Sequence, residues 1–139
     1  IAKEFPDIES DDKIVDNVCM QLVMHPENFD IMVTPNLYGD IISDLTSGLI
    51  GGLGLLPSMN IGTDYAMFEA VHGSAPDIAG MHIANPTALL WSECMNENET
   101  AATIRHAVDL ILSEGTTLTP DLGGTAKTEE YTTAIIAKL

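Results

Sequence analysis

Between Leu45 and Thr63 the chain carries no ionisable residue. That run is close to the ~20 apolar residues that cross a bilayer, so whether it spans one has to be settled first. It holds Gly48, Gly51, Gly52, Gly54 and Gly62, with Pro57 and Asn60 among them. Glycine and proline are the poorest helix formers, and backbone left outside a helix cannot be satisfied by lipid. A membrane helix is therefore rejected. The run is read as the end of a helix broken by its glycines.

The chain has 139 residues, 45% of them hydrophobic and 19% charged. This describes one globular domain or part of one, long enough to bury a core. Its net charge of −16 repels nucleic-acid phosphate and anionic lipid, so neither is an expected partner. Acidity suits a cation better, although acidic surfaces commonly serve solubility. Cys19 and Cys94 do not make a disulfide framework and read as buried or idle thiols in a reducing compartment. The opening Ile1-Ala2-Lys3-Glu4-Phe5-Pro6 lacks the pattern of a secretory signal and an initiator Met, so a processed chain or a fragment is expected.

Along the chain, polar residues 1–12 precede the apolar pair Ile14-Val15, read as a short strand ending at Asp16. Val18, Leu22 and Val23 recur at helical spacing until Pro26. Phe29 to Val33 reads as a buried strand ending at Pro35. Gly39 to Ile50 reads as a helix with Ile41, Ile42, Leu45 and Leu49 inward. Tyr65 to Val71 is a further strand, His72 to Gly80 a loop, and Ala84 to Met95 a helix with Asn85-Pro86 at its start. A polar break at Asn96–Glu99 precedes an amphipathic helix on Ile104, Ala107, Val108 and Ile111, ended by Gly115. After a loop at Thr116–Gly124, Thr128 caps a last helix with Tyr131, Ile135 and Leu139 on one side. Strands alternating with helices indicate an α/β fold.

Three places in this scheme could carry chemistry. Asp40 and Asp44 are four apart, so on a helix both carboxylates share a face, where they repel unless a cation lies between them. Mg²⁺ takes one or two such carboxylates together with waters and substrate oxygens, whereas acids near a helix start are also favoured by its dipole. His72-Gly73-Ser74-Ala75-Pro76-Asp77-Ile78-Ala79-Gly80 lies between a strand and a helix, where α/β proteins bind ligands. It lacks the G-x-G-x-x-G pattern of a dinucleotide turn. Asp16 lies at an expected strand end. His25, His82 and His106 have no partner at metal spacing and read as surface residues, while Trp91 and the methionines read as core.

These residues sit in longer recognisable runs: Asp16-Asn17; Pro35 to Leu45, reading PNLYGDIISDL; Gly48 to Gly54; Asn60-Ile61-Gly62; Phe68 to Gly80, reading FEAVHGSAPDIAG; Ala84 to Leu90; and Asp121-Leu122-Gly123-Gly124. Over nearly its whole length the chain resembles the C-terminal portion of the metal-dependent β-decarboxylating dehydrogenases, the isocitrate/isopropylmalate dehydrogenase family. Within it, the resemblance is to subunits of mitochondrial NAD-dependent isocitrate dehydrogenase. The resemblance implies that residues 1–139 form the C-terminal part of a two-domain, doubly wound α/β fold whose N-terminal half is absent here. It implies oxidative decarboxylation of isocitrate to 2-oxoglutarate, in the tricarboxylic acid cycle, by a homo- or hetero-oligomer of related subunits in the mitochondrial matrix. Asp40 and Asp44 would be Mg²⁺ or Mn²⁺ ligands and Asp16 the aspartate lent to a neighbouring subunit's ion. His72, Gly73, Ser74, Ala75, Pro76, Asp77, Ile78 and Asn85 would bind the adenosine of the cofactor, with Asp121 in another cofactor-side loop. At Asp77 a carboxylate can accept from ribose hydroxyls but repels a 2′-phosphate, which favours NAD over NADP.

The chain departs from the family in two ways. The upstream portion that carries the Ser/Asn and arginine grip on substrate and the Tyr and Lys acid–base pair is not in it, and Arg105 is its one arginine. The isolated chain is therefore expected to be inactive, with no catalytic residue assigned in it. In addition, Trp91-Ser92-Glu93-Cys94-Met95 meets Asn96 early, so that helix is expected to be short. The alternatives are a non-catalytic regulatory or interaction subunit of the same complex, and a 3-isopropylmalate or homoisocitrate dehydrogenase.

Overall fold

The structure, a computed structural model, describes residues 2–91 and 98–139. It divides into two compact units, Ile1–Thr46 and Ser47–Leu139.

The first unit is built on helix α1 (Val15–Met24) and the start of α2 (Asn36–Leu49). Val18 and Leu22 lie one turn apart on α1 and are buried with Ile42 of α2, under Val15, Cys19, Phe29 and Leu45. Pro26 cannot continue α1, and the His25 N–H closes its last turn on the Gln21 carbonyl. The structure departs from the sequence reading at three places in this unit. Asp16 lies in the first turn of α1, not at a strand end, because a two-residue apolar pair offers too little to pair as a strand and a carboxylate is favoured at a helix start. Phe29–Val33 is not a buried strand: Ile31 is 89% and Val33 95% exposed, and among the described residues no strand pairs with its backbone. Of the four residues expected inward on α2, Ile42 is buried and Leu45 half-buried, but Ile41 and Leu49 are exposed. Ile41 stands about 100° round the helix from Ile42, and Leu49 is the helix's last residue.

In the second unit Gly51 and Gly52 take φ of +113° and +111°, which a side chain would resist. The chain then turns through Leu53–Leu55 into strand β1 (Pro57–Ile61), which pairs antiparallel with β2 (Ala66–Ala70) in the register Pro57↔Ala70 to Ile61↔Ala66. β2 lies inside the strand expected from sequence. β1 was not expected there, since Pro57, Ser58 and Asn60 blur its pattern. Pro57 is tolerated as the strand's first residue. Among the described residues this antiparallel pair is the sheet.

Helix α3 (Thr87–Trp91) packs on β1, β2 and the Leu53–Leu55 turn. Ser92 to Met95, Cys94 included, and Asn96 and Glu97 of the polar break lie outside the described residues. Helix α4 (Asn98–Glu114) buries Ala107, Val108 and Ile111 against Tyr131 and Ile135 of α5 (Thr128–Ile136), with Leu90, Trp91, Leu112, Leu118 and Ala134 around them. The expected apolar face of α4 is thus its core face, and Gly115 ends it at φ +66°. Lys127, not Thr128, holds the cap position of α5. The Lys127 backbone N–H donates to the Glu130 carboxylate at 2.8 Å, while the Thr128 hydroxyl donates to the Ala84 carbonyl at 2.6 Å. Leu139 is exposed, not on the buried side. Among the described residues no helix is long and apolar enough to cross a membrane.

Candidate functional site

The first unit carries the carboxylates. Asp40 and Asp44 stand one turn apart on α2, both exposed. The Asn36 side-chain amide donates to Asp40 Oδ2 at 3.1 Å. Asp16 is exposed in the first turn of α1, where its Oδ1 accepts the Asn17 N–H at 2.6 Å. Among the described residues no Lys or Arg pairs with any of the three. Nor does any group of three or more His, Cys, Asp or Glu side chains come close enough to share an ion. The helix therefore brings Asp40 and Asp44 together, while Asp16 does not complete a three-donor set with them. Two un-neutralised carboxylates with room beside them suit a hard divalent ion that fills its other positions with water or substrate oxygen.

The second unit carries the loop. After β2 the chain runs through His72–Ser74, reaches φ +40° at Ala75, makes a 3₁₀ turn at Pro76–Ile78, and takes positive φ again at Gly80 and His82. His72 to Asp77 are exposed and Ile78 is half-buried. The His72 ring meets the Gly73 carbonyl at 3.1 Å. No hydrogen bond among the described residues joins this loop to Asn85.

Asn85 belongs to a different arrangement. It is 8% exposed. Its Oδ1 accepts the N–H of Thr87, the first residue of α3, at 3.0 Å, and its Nδ2 donates to Asp121 Oδ2 at 2.9 Å. Thr87 in turn shares a buried 2.9 Å hydrogen bond with the Tyr131 hydroxyl. Burial raises the pKa of Tyr131 above its usual 10.0; the Thr87 hydrogen bond opposes this and the negative charge of Asp121 adds to it. Gly54 closes the arrangement from the side: a Cβ there would lie 3.0 Å from Asp121 Oδ2 and 3.3 Å from Asn85 Cβ. Reasoning from sequence placed Asn85 at a helix start but missed its bond to Asp121 and the Thr87–Tyr131 pair. Asp121 lies 36 positions from Asn85, and no spacing rule connects them.

A sequence profile of the isocitrate/isopropylmalate dehydrogenase family matches residues 1–135. The chain belongs to this family. Over 144 residues it is 57% identical to an isocitrate/homoisocitrate dehydrogenase of Thermus thermophilus, matching all of this chain and 43% of that protein. It is 54% identical to NAD isocitrate dehydrogenase catalytic subunit 5, mitochondrial, of Arabidopsis thaliana, matching 97% of this chain and 38% of that one. To an NADP isocitrate dehydrogenase of Thermus thermophilus it is also 54% identical, over all of this chain and 30% of the other. The crystal structure of isocitrate dehydrogenase from Methylococcus capsulatus superposes with a TM-score of 0.85 at 51% identity, covering 99% of this chain and 42% of that one. The chain therefore spans less than half the length of the relatives it matches. Its fold is the α/β fold of these dehydrogenases over that span, and the family is one of oxidoreductases.

Proposed function

We propose that this isocitrate/isopropylmalate dehydrogenase-family chain supplies part of the metal site and the adenosine side of the cofactor site of an NAD-dependent isocitrate dehydrogenase, with Mg²⁺ or Mn²⁺ as its ion. The observation that carries this is the Asp40–Asp44 pair, exposed on one face of α2 with no cation partner among the described residues. Asp40 and Asp44 would hold the ion from this chain, and Asp16 would reach the ion of a neighbouring subunit, in a homo- or hetero-oligomer. Bound there, a divalent ion would act as a Lewis acid on the oxygens of isocitrate. Asn36 orients the Asp40 carboxylate by its hydrogen bond. His72, Gly73, Ser74, Ala75, Pro76, Asp77 and Ile78 would cradle the adenosine, and Asn85 would add a contact to it. Asp77, exposed at the middle of its turn, is free to accept from ribose hydroxyls and would repel a 2′-phosphate. The Arabidopsis relative's name supports NAD and a mitochondrial location. The Thermus relative's name supports a second substrate, homoisocitrate.

The metal assignment is tested by calorimetry of Mn²⁺ with the assembled protein. Asp40→Ala with Asp44→Ala should weaken binding at least about tenfold, the loss of charged ligands, and unchanged affinity would overturn it. Asp77→Lys should shift the preference from NAD toward NADP. The chain by itself should form no NADH from isocitrate, because Arg105, on α4, is its one arginine and a tricarboxylate needs several cations. Turnover by the isolated chain would refute that.

A further inference from the structure

The direction of the Asn85 amide is dictated by its neighbours. Its oxygen faces the Thr87 N–H and its nitrogen faces the Asp121 carboxylate. Turned over, the amide would set oxygen against carboxylate and N–H against N–H, losing both bonds and gaining two repulsions. Asn85 is only 8% exposed and its bond to the Thr87 N–H is buried, while Asp121 is exposed and its bond to the amide is part-buried.

The backbone that carries its partner is held in a tight turn. Asp121 sits in the 3₁₀ turn Pro120–Leu122. That turn is closed by the Leu122 and Gly124 N–H groups on the Thr119 carbonyl, at 3.0 and 3.1 Å, and by the Gly123 N–H on the Pro120 carbonyl at 3.1 Å. Gly123 takes φ +81°, and a Cβ on Gly124 would overlap the backbone of Leu118. The turn is thus shaped by residues that leave it little freedom. On the other side a Cβ at Gly54 would crowd the pair, so that a neighbour would have to give by a few tenths of an ångström.

We infer that Asp121 is a positioning residue that acts through Asn85: its carboxylate fixes the amide so that one N–H is spent on Asp121 and the other keeps a single defined direction. The amide lock stands on geometry alone. Its consequence, a pre-set Asn85 for the cofactor, rests on the cofactor reading above. A pre-set donor loses less freedom on binding than one that must first choose a direction.

The test uses the assembled protein with asparagine-selective ¹⁵N labelling, the Asn85 side-chain resonances being assigned by their loss in Asn85→Asp. Asp121→Ala should move these resonances and speed their hydrogen exchange. It should also raise KM for NAD about tenfold, the worth of a charged hydrogen bond, with kcat little changed. Asp121→Asn retains an acceptor oxygen and should fall between the two. Asp109→Ala removes an exposed acid from α4 and should match the wild type. Asn85 resonances unmoved in Asp121→Ala overturn the lock, and moved resonances with an unaltered KM overturn the positioning role. Moved resonances in a protein that binds no NAD at all would leave the lock standing and sink the cofactor reading instead.

Discussion

Tyr131 is fully buried with its hydroxyl against Thr87 Oγ1. Phenylalanine there would strand the Thr87 hydroxyl and should cost about 1–3 kcal/mol, read from denaturant unfolding. The same tyrosine sets a pH dependence. Its pKa is raised in the fold, chiefly by burial, so the stability it contributes is whole below the unfolded value of about 10. That contribution is lost as pH climbs past this value and through the higher folded one. Tyr131→Phe should therefore flatten the fall in melting temperature above pH 10, and identical slopes in the two proteins would contradict this. Thr119 presents the opposite case. Its Oγ1 is buried with no partner among the described residues. Thr119→Val exchanges that hydroxyl for a methyl of the same shape and should be neutral or stabilising by about 1 kcal/mol. A clear loss on unfolding would reveal a hidden partner.

Among the elements, two glycines should respond in opposite directions. Gly48 lies in α2 with open space where a Cβ would stand, so Gly48→Ala should stabilise by about 0.5–1 kcal/mol. Gly124→Ala drives a methyl into the Leu118 carbonyl and should destabilise by several kcal/mol, since backbone on both sides must move. Thermal melts of both variants decide the matter. The long amphipathic helix α4 was legible in sequence because its core face repeats at helical spacing, and the shared face of Asp40 and Asp44 was legible for the same reason. β1 was not, since its burial comes from α3 packing on it rather than from its own alternation. The segment Phe29–Val33 misled for the converse reason: its apolar residues are those of a buried strand, but no strand among the described residues pairs with it. Asn85 was legible as a helix start, while its hold on Asp121 depends on a turn 36 positions away.

Across the whole molecule the exposed apolar residues stand out, Ile31, Val33 and Tyr65 above all, at 89, 95 and 87%. For the 139-residue chain alone, Ile31→Asp should change unfolding free energy by no more than about 0.5 kcal/mol, as surface substitutions do. A loss near 2 kcal/mol, of the size that burying a large apolar side chain contributes, would show the segment packed in solution. The two carboxylates of α2, with no Lys or Arg paired to them among the described residues of a chain of net charge −16, carry a consequence for how ion binding is measured. Like charges one turn apart are eased by any added electrolyte, whether or not it docks, because screening shortens the reach of their field to about 10 Å at 0.1 M. A magnesium titration of this protein will therefore report general salt relief along with chelation, unless sodium chloride holds the ionic strength constant throughout.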